Sequence, residues 1–355
     1  MLEINNRRYI GCKTKLLEKI FEAVSEMGFN SDSTLADIFA GTGVVANYFA
    51  NKGYKTYVND MLYSNVVAYK AWLGEGTYNS SKIEKLIDQF NKINPDELPE
   101  NYFSITYGNK YYSVNDAKKI GYVRDYLEDH RAELTSREYY ILLTSLMYCA
   151  DKIANTVGHF ESFLNKQPED KGVTLKNLRI NDKIKPACIY EMDANEFVRD
   201  LKCDVAYIDP PYNARQYVNF YHVLENLARW EKPTIFEGNS MKFKRDELKS
   251  DYCRSKAPQL FKDLISNIKA KIIIVSYHNT YKAGSISSVN TISEEELIHI
   301  LSEKGKVQKI SINYNAFNAG KTELTGHMEY LYVCEVENEN SWLLFIKAKR
   351  PWLDS

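Results

Sequence analysis

No two cysteines in this chain stand at C-x-x-C spacing. The six, at positions 12, 149, 188, 203, 253 and 334, are scattered, so the pattern offers neither a zinc site nor a disulfide framework. No apolar run approaches the roughly 18 residues a membrane span requires, and the N-terminus carries no apolar signal core. A protein of a reducing, cytoplasmic setting, without a membrane, is expected. A charge excess of either sign is also missing: 46 basic residues face 47 acidic ones, for a net charge of −1. The chain as a whole has no field that would gather polyanions, and any phosphate binding must come from local clusters. His278 and His327 have no third ligand at metal spacing, so no metal site is expected.

What is present suits a globular protein. The 355 residues are 44% apolar and 26% charged, enough for one large domain with an insertion or for two domains. Aromatics reach 13%, led by 27 tyrosines, which serve base stacking and ordinary packing equally well.

The most informative stretch is Asp204 to Tyr217, DVAYIDPPYNARQY. Val205 to Ile208 reads as a buried strand. It stops at Asp209-Pro210-Pro211-Tyr212, because prolines lack N–H groups and fix φ. The turn sets a carboxylate, a carbonyl and an aromatic ring at the carboxyl end of a strand, where open α/β sheets bind ligands. An exocyclic amino nitrogen is a poor nucleophile because its lone pair is delocalised into the ring. Asp209 and the Pro210 carbonyl can accept hydrogen bonds from such an NH₂ and stabilise charge developing on it. Tyr212 can stack on a base swung out of its duplex. The competing reading is a rigid turn with no chemistry.

Upstream, Leu35 to Phe39 reads as a strand entering Ala40-Gly41-Thr42-Gly43 and a helix from Val44 to Asn51. This is the first β-turn-α unit of a Rossmann-like sheet, with Gly41 and Gly43 permitting the tight turn. The full G-x-G-x-x-G fingerprint is absent, since position 46 is Ala. A cofactor without phosphates is therefore favoured over a dinucleotide. A second strand, Lys55 to Val58, ends at Asp60, 19 residues after Gly41. That position suits an acceptor for ribose hydroxyls and equally a helix N-cap. Before these, Tyr9 and Lys13 bracket Gly11 ahead of a helix from Thr14 to Met27. A solvated basic leader is the alternative there.

The next strand is delayed by about 110 residues, far beyond a minimal βαβ unit. Helical periodicity fills the gap at Ser81 to Ile93, Asn115 to Leu127 and Ser136 to Ala154, with Asn94 to Asn109 read as a loop. His159, Asn165 and Lys166, beside Phe160 and Phe163, can read bases or meet phosphates; aromatics packing on the sheet are the alternative. A third strand, Ile189 to Met192, ends at Asp193, a candidate helix cap or acceptor. Val218 to Trp230 is helical. Lys242 to Lys256 holds six basic residues and reads as a solvated loop or a phosphate grip. Ile272 to Val275 is a buried strand, Ser293 to Lys304 a helix, and Val307 to Tyr314 with Glu329 to Val336 a terminal antiparallel pair.

Asp-Pro-Pro-Tyr, the Phe-x-Gly-x-Gly run at Phe39 to Gly43 and the aromatic-x-Gly-x-Lys run at Tyr9 to Lys13 together resemble the alpha-class, Dam-like DNA adenine amino-methyltransferases. The string from Asp209 to Tyr217 is similar to that of restriction–modification methylases of the FokI type. The resemblance implies an α/β, Rossmann-like sheet, mostly parallel with an antiparallel terminal strand. It implies a catalytic domain of residues 1–74 and 187–355 and an inserted, mainly helical target-recognition domain of residues 75–186. The implied cofactor is S-adenosylmethionine, contacted by Tyr9, Lys13, Phe39, Gly41, Gly43, Asp60, Asp193, Asp209 and Tyr217. Asp209, Pro210, Pro211 and Tyr212 would be catalytic. Phe317, His159, Lys166 and Arg215 would meet the base or the DNA. The implied acceptor is double-stranded DNA, with a cognate endonuclease as a companion activity. A monomer is the default expectation for an enzyme of this size. An amino-methyltransferase of ribosomal RNA or of a protein glutamine, and a nucleic-acid-binding protein that has lost catalysis, are the competing readings.

Overall fold

The computed structural model describes residues 1–211, 214–278, 291–313 and 328–337. In chain order the helices are α1 (Leu17–Glu26), α2 (Val44–Asn51), α3 (Tyr63–Trp72), α4 (Ser80–Lys92), α5 (Tyr102–Tyr107), α6 (Val114–Asp129), α7 (Ser136–Ile153), α8 (Ala194–Asp200), α9 (Tyr217–Arg229), α10 (Ala257–Asn267) and α11 (Glu294–Ser302). The strands are β1 (Thr34–Asp37), β2 (Lys55–Asn59), β3 (Cys188–Tyr190), β4 (Val205–Ile208), β5 (Phe236–Glu237), β6 (Lys242–Phe243), β7 (Ile272–His278), β8 (Gly305–Asn313) and β9 (Met328–Val336). Apart from the small β5–β6 hairpin they form one sheet of order β3-β2-β1-β4-β7-β9-β8. The first five run parallel, and β9 inserts antiparallel between β7 and β8. This is the expected Rossmann-like sheet, mostly parallel with an antiparallel end.

Period-2 alternation builds a core on each face of the sheet. Val205 and Tyr207 of β4, with Ile272 and Ile274 of β7, face the layer that holds α1, α2, α3, α7 and α9. Ala206, Ile208, Ile273 and Val275 face α8, α10 and α11. The helices of the insertion do not stand on a core of their own. Leu142, Leu143 and Leu146 of α7 and Ile120 of α6 belong to the same cluster as Val66 and Val67 of α3 and Leu224 of α9.

Three segments depart from the sequence expectation. The supposed loop Asn94–Asn109 contains α5, whose N-terminus is closed by a reciprocal box of Asn101 and Ser104. Six residues are too few for periodicity to register. The helix α10, with Phe261, Leu264 and Ile265 inward, went unassigned. The basic run from Lys242 is no plain solvated loop: Arg245 is buried and donates to Asn219, Glu237 and the Phe243 carbonyl, and Tyr252 and Cys253 are buried.

From β1 the chain moves outward one way to β2 and β3, and from β4 the other way to β7. Beyond the carboxyl ends of β1 and β4 the connections diverge and leave a crevice, the usual ligand position in such sheets.

Candidate active site

That crevice is a cavity of about 890 Å³, open mouth included. Tyr9, Lys13, Phe39, Gly41, Asp60, Asp193, Asp209, Pro211 and Tyr217 all line it, although they come from segments spread over some 200 residues of sequence. Gln216, read as lying near the active-site end, lines it too, and sequence reasoning missed Asp37, Ser250 and Tyr252, which also line it. Four aspartates, at 37, 60, 193 and 209, face it, and Lys13 is the one cationic side chain among the described lining residues. Such a lining suits a ligand that carries positive charge and opposes a diphosphate.

Each acidic group is fixed by its element. Asp60 follows β2; its Oδ2 accepts from the Gly41 N–H at 2.9 Å and its Oδ1 from the Leu62 N–H at 2.8 Å. The first bond ties the glycine turn to β2, and the second turns the chain into α3. The surrounding protein dehydrates the carboxyl and pushes it up to about 6, against the pull of the Leu62 and Gly41 N–H groups and the Asn65 side chain. Asp193 is the N-cap of α8, accepting from the Asn195 N–H at 2.8 Å. Asp37 ends β1. Its Oδ2 accepts from the Ala46 N–H at 3.1 Å, while its Oδ1 is buried and has no hydrogen-bond partner among the described residues. Burial, with Asp209 and Asp60 nearby, pushes Asp37 up to about 8 despite the Ala46 bond.

Lys13 Nζ lies 3.3 Å from Asp209 Oδ1 and 3.4 Å from Glu329 Oε1. Burial opposes the ammonium, but the two carboxylates outweigh it and hold Lys13 above the ordinary lysine range. Glu329, on β9, gave no sequence signal: it stands 316 residues from its partner.

The glycine turn is tight for reasons internal to the protein as well. A Cβ on Gly41 would come within 2.9 Å of the Tyr9 ring, and one on Gly43, at φ 77°, within 2.7 Å of the Tyr69 ring. Tyr69 in turn donates its hydroxyl to the Gly41 carbonyl at 2.6 Å. Gly43, expected as a cofactor contact, is the N-cap residue of α2 and is not among the residues that line the cavity. Tyr9 stacks on Tyr221 at 4.6 Å and tilts against Tyr217 at 5.7 Å. Gln216 and Ser250 exchange two hydrogen bonds of 2.8 Å, which clamp the segment after the Pro-Pro turn to the former basic run.

The expected DNA contacts lie elsewhere. The His159 ring rests on Phe220 at 4.8 Å, and the Phe160 N–H donates to the Phe220 carbonyl. The insertion's aromatic loop therefore docks on α9. Burial lowers the His159 pKa, and Arg215 and Arg8 lower it further against the opposing Glu161. Lys166 and Arg215 are exposed, and Lys166 pairs with Glu169 at 3.6 Å. None of the three lines the cavity. Tyr212 and Phe317 lie outside the described residues.

The sequence matches the model of the D12 class N6 adenine-specific DNA methyltransferase family over residues 9–287. The modification methylase StsI of Streptococcus sanguinis is 37% identical over 311 residues, which are 83% of this chain and 46% of that protein. Type II methyltransferase M.NlaIII of Neisseria lactamica is 30% identical over 342 residues, 92% of this chain and 98% of that protein. Type II methyltransferase M.FokI of Planomicrobium okeanokoites is 29% identical over 316 residues, 84% and 47% respectively. The chain thus spans about half the length of the StsI and FokI proteins and nearly all of the NlaIII protein. With the sheet order, the acidic crevice and the Asp-Pro-Pro turn at its rim, these matches assign the chain to the D12 class of N6 adenine-specific DNA methyltransferases.

Proposed function

We propose that the chain transfers a methyl group from S-adenosylmethionine to the exocyclic amino nitrogen of an adenine swung out of double-stranded DNA, as the modification half of a restriction–modification system. The observation that carries this reading is the convergence of the Asp209-Pro210-Pro211 turn and the glycine turn on one acidic cavity. The relatives' names, modification methylase and Type II methyltransferase, support the biological setting, in which a cognate endonuclease cuts the same unmodified site.

The cavity residues fit the cofactor by their charge: bound there, S-adenosylmethionine would supply a methyl group activated by its sulfonium. Asp60 offers its remaining lone pairs to the ribose hydroxyls, and Asp193 its own to the adenine amino group. Tyr9, Lys13, Phe39, Gly41 and Tyr217 complete the cofactor face, and Gly43 supports the turn that carries Gly41. Asp209 and the Pro210 carbonyl accept from the acceptor NH₂, localise its lone pair and stabilise the positive charge that develops. Near-attack positioning supplies the remaining advantage. Asp209 need not be a strong base, because the proton can leave after transfer. Tyr212 and Phe317 stack on the extruded base. Residues 75–186 form the target-recognition region, with His159, Lys166 and Arg215 meeting DNA.

Asp209→Ala tests the assignment. It should abolish methylation of duplex DNA, while equilibrium binding of S-adenosylmethionine stays within about 1 kcal/mol of wild type, the worth of one hydrogen bond. Turnover near the wild-type rate would remove Asp209 from the mechanism.

A further inference from the structure

Glu329 is a buried acid that the mechanism above leaves unused. It sits on β9, in register with His278 of β7, and is 6% exposed. One of its oxygens lies 3.4 Å from Lys13 Nζ, and the other, Oε2, is buried with no hydrogen-bond partner among the described residues. Lys13, itself 5% exposed, reaches Asp209 at 3.3 Å with the same ammonium. One cation is therefore held between two carboxylates brought together by three separate segments: the N-terminal turn, the turn after β4 and the antiparallel strand.

The charge count gives this arrangement a use. An ammonium facing Asp209 alone would neutralise it and compete with the acceptor amino group for its lone pairs. A second carboxylate on the same ammonium divides that attraction and leaves the cluster with a net negative charge. Such a charge, fixed in place before reaction, favours a nitrogen that becomes positive as the methyl group arrives. The buried geometry also removes rotational freedom from Lys13, and through it from Asp209.

We propose that Glu329 is a positioning residue for methyl transfer: it shares the Lys13 ammonium with Asp209, so that the Asp209 carboxylate is fixed and only partly neutralised at the acceptor nitrogen. The inference rests on the role given to Asp209 above.

The test uses the full chain and fragmented genomic DNA from a host without adenine methylation. Three properties are measured for wild type, Glu329→Gln, Glu329→Asp, Lys13→Met and the Lys13→Met/Glu329→Gln pair: single-turnover methylation rate, Kd for S-adenosylmethionine, and urea unfolding midpoint. Glu329→Gln should lower the rate on the order of a hundredfold, the scale of a small misplacement of a reacting group, with Kd changed less than about threefold. Glu329→Asp, which keeps the charge, should retain more of the rate than Glu329→Gln. Added to Lys13→Met, Glu329→Gln should cost little more, because both act through one ammonium; the unfolding midpoints should show the same non-additivity. A Glu329→Gln rate equal to wild type, a loss in the pair equal to the product of the single losses, or Glu329→Asp slower than Glu329→Gln would overturn the proposal. If Lys13→Met does not fold, the order of the two Glu329 variants decides. A wild type that methylates no DNA would overturn the Asp209 reading itself, which the wild-type arm separates from a failure confined to Glu329.

Discussion

Asp37 is the residue whose chemistry is most at odds with its place. It is 1% exposed, one oxygen has no partner among the described residues, and burial pushes its carboxyl up to about 8. An unfolded aspartic acid loses its proton near 4, so between about pH 4 and pH 8 the folded state keeps a proton the unfolded state has lost. This group's contribution to stability is therefore complete below about pH 4 and is lost as the pH rises through 8. Asp37→Asn, which cannot ionise, should gain stability relative to wild type as the pH is raised from 5 to 8, measured by urea unfolding. Parallel pH curves for the two proteins would contradict the burial argument. At Asp60 the question is affinity. Asp60→Ala should weaken S-adenosylmethionine binding by about 1–3 kcal/mol if its carboxylate bonds the ribose. An unchanged Kd would leave Asp60 with its two backbone bonds alone.

At the scale of elements, the glycine turn and α2 are one unit. Gly43 must adopt φ 77° and leave room for Tyr69. Gly43→Ala adds a left-handed conformational cost of roughly 1–2 kcal/mol and an overpacking cost of roughly 1–3 kcal/mol. Its urea midpoint should fall accordingly, and a midpoint equal to wild type would refute the packing account. The elements most legible in the sequence were those with a sharp local boundary. β4 could be read because the prolines at 210 and 211 stop it, and α2 because Gly43 starts it. The α5 helix hid in its brevity, and the buried Tyr252 hid in a run of charges. Asp37 was read only as part of a strand, since nothing in Leu-Ala-Asp-Ile says that the carboxylate faces a cavity. Glu329 lay beyond reach, because its meaning depends on the antiparallel register of β9, which no local pattern encodes.

Over the whole molecule, the order of motifs along the chain carried more information than any single motif. Tyr9 to Lys13, Phe39 to Gly43 and Asp209 to Tyr217 are each weak alone, yet the sheet brings all three to one crevice. The insertion was visible as a delay before β3, but its shared core with the sheet was not, because periodicity reports a helix's apolar face and not its partner. The proposed activity of this crevice is methylation of adenine in DNA. Single-molecule sequencing of genomic DNA from a methylase-free host expressing the chain tests it most directly. N6-methyladenine should appear in one short sequence motif only and disappear with Asp209→Ala. Unmodified DNA from cells whose purified protein still binds S-adenosylmethionine would contradict it and place the acceptor in RNA or protein.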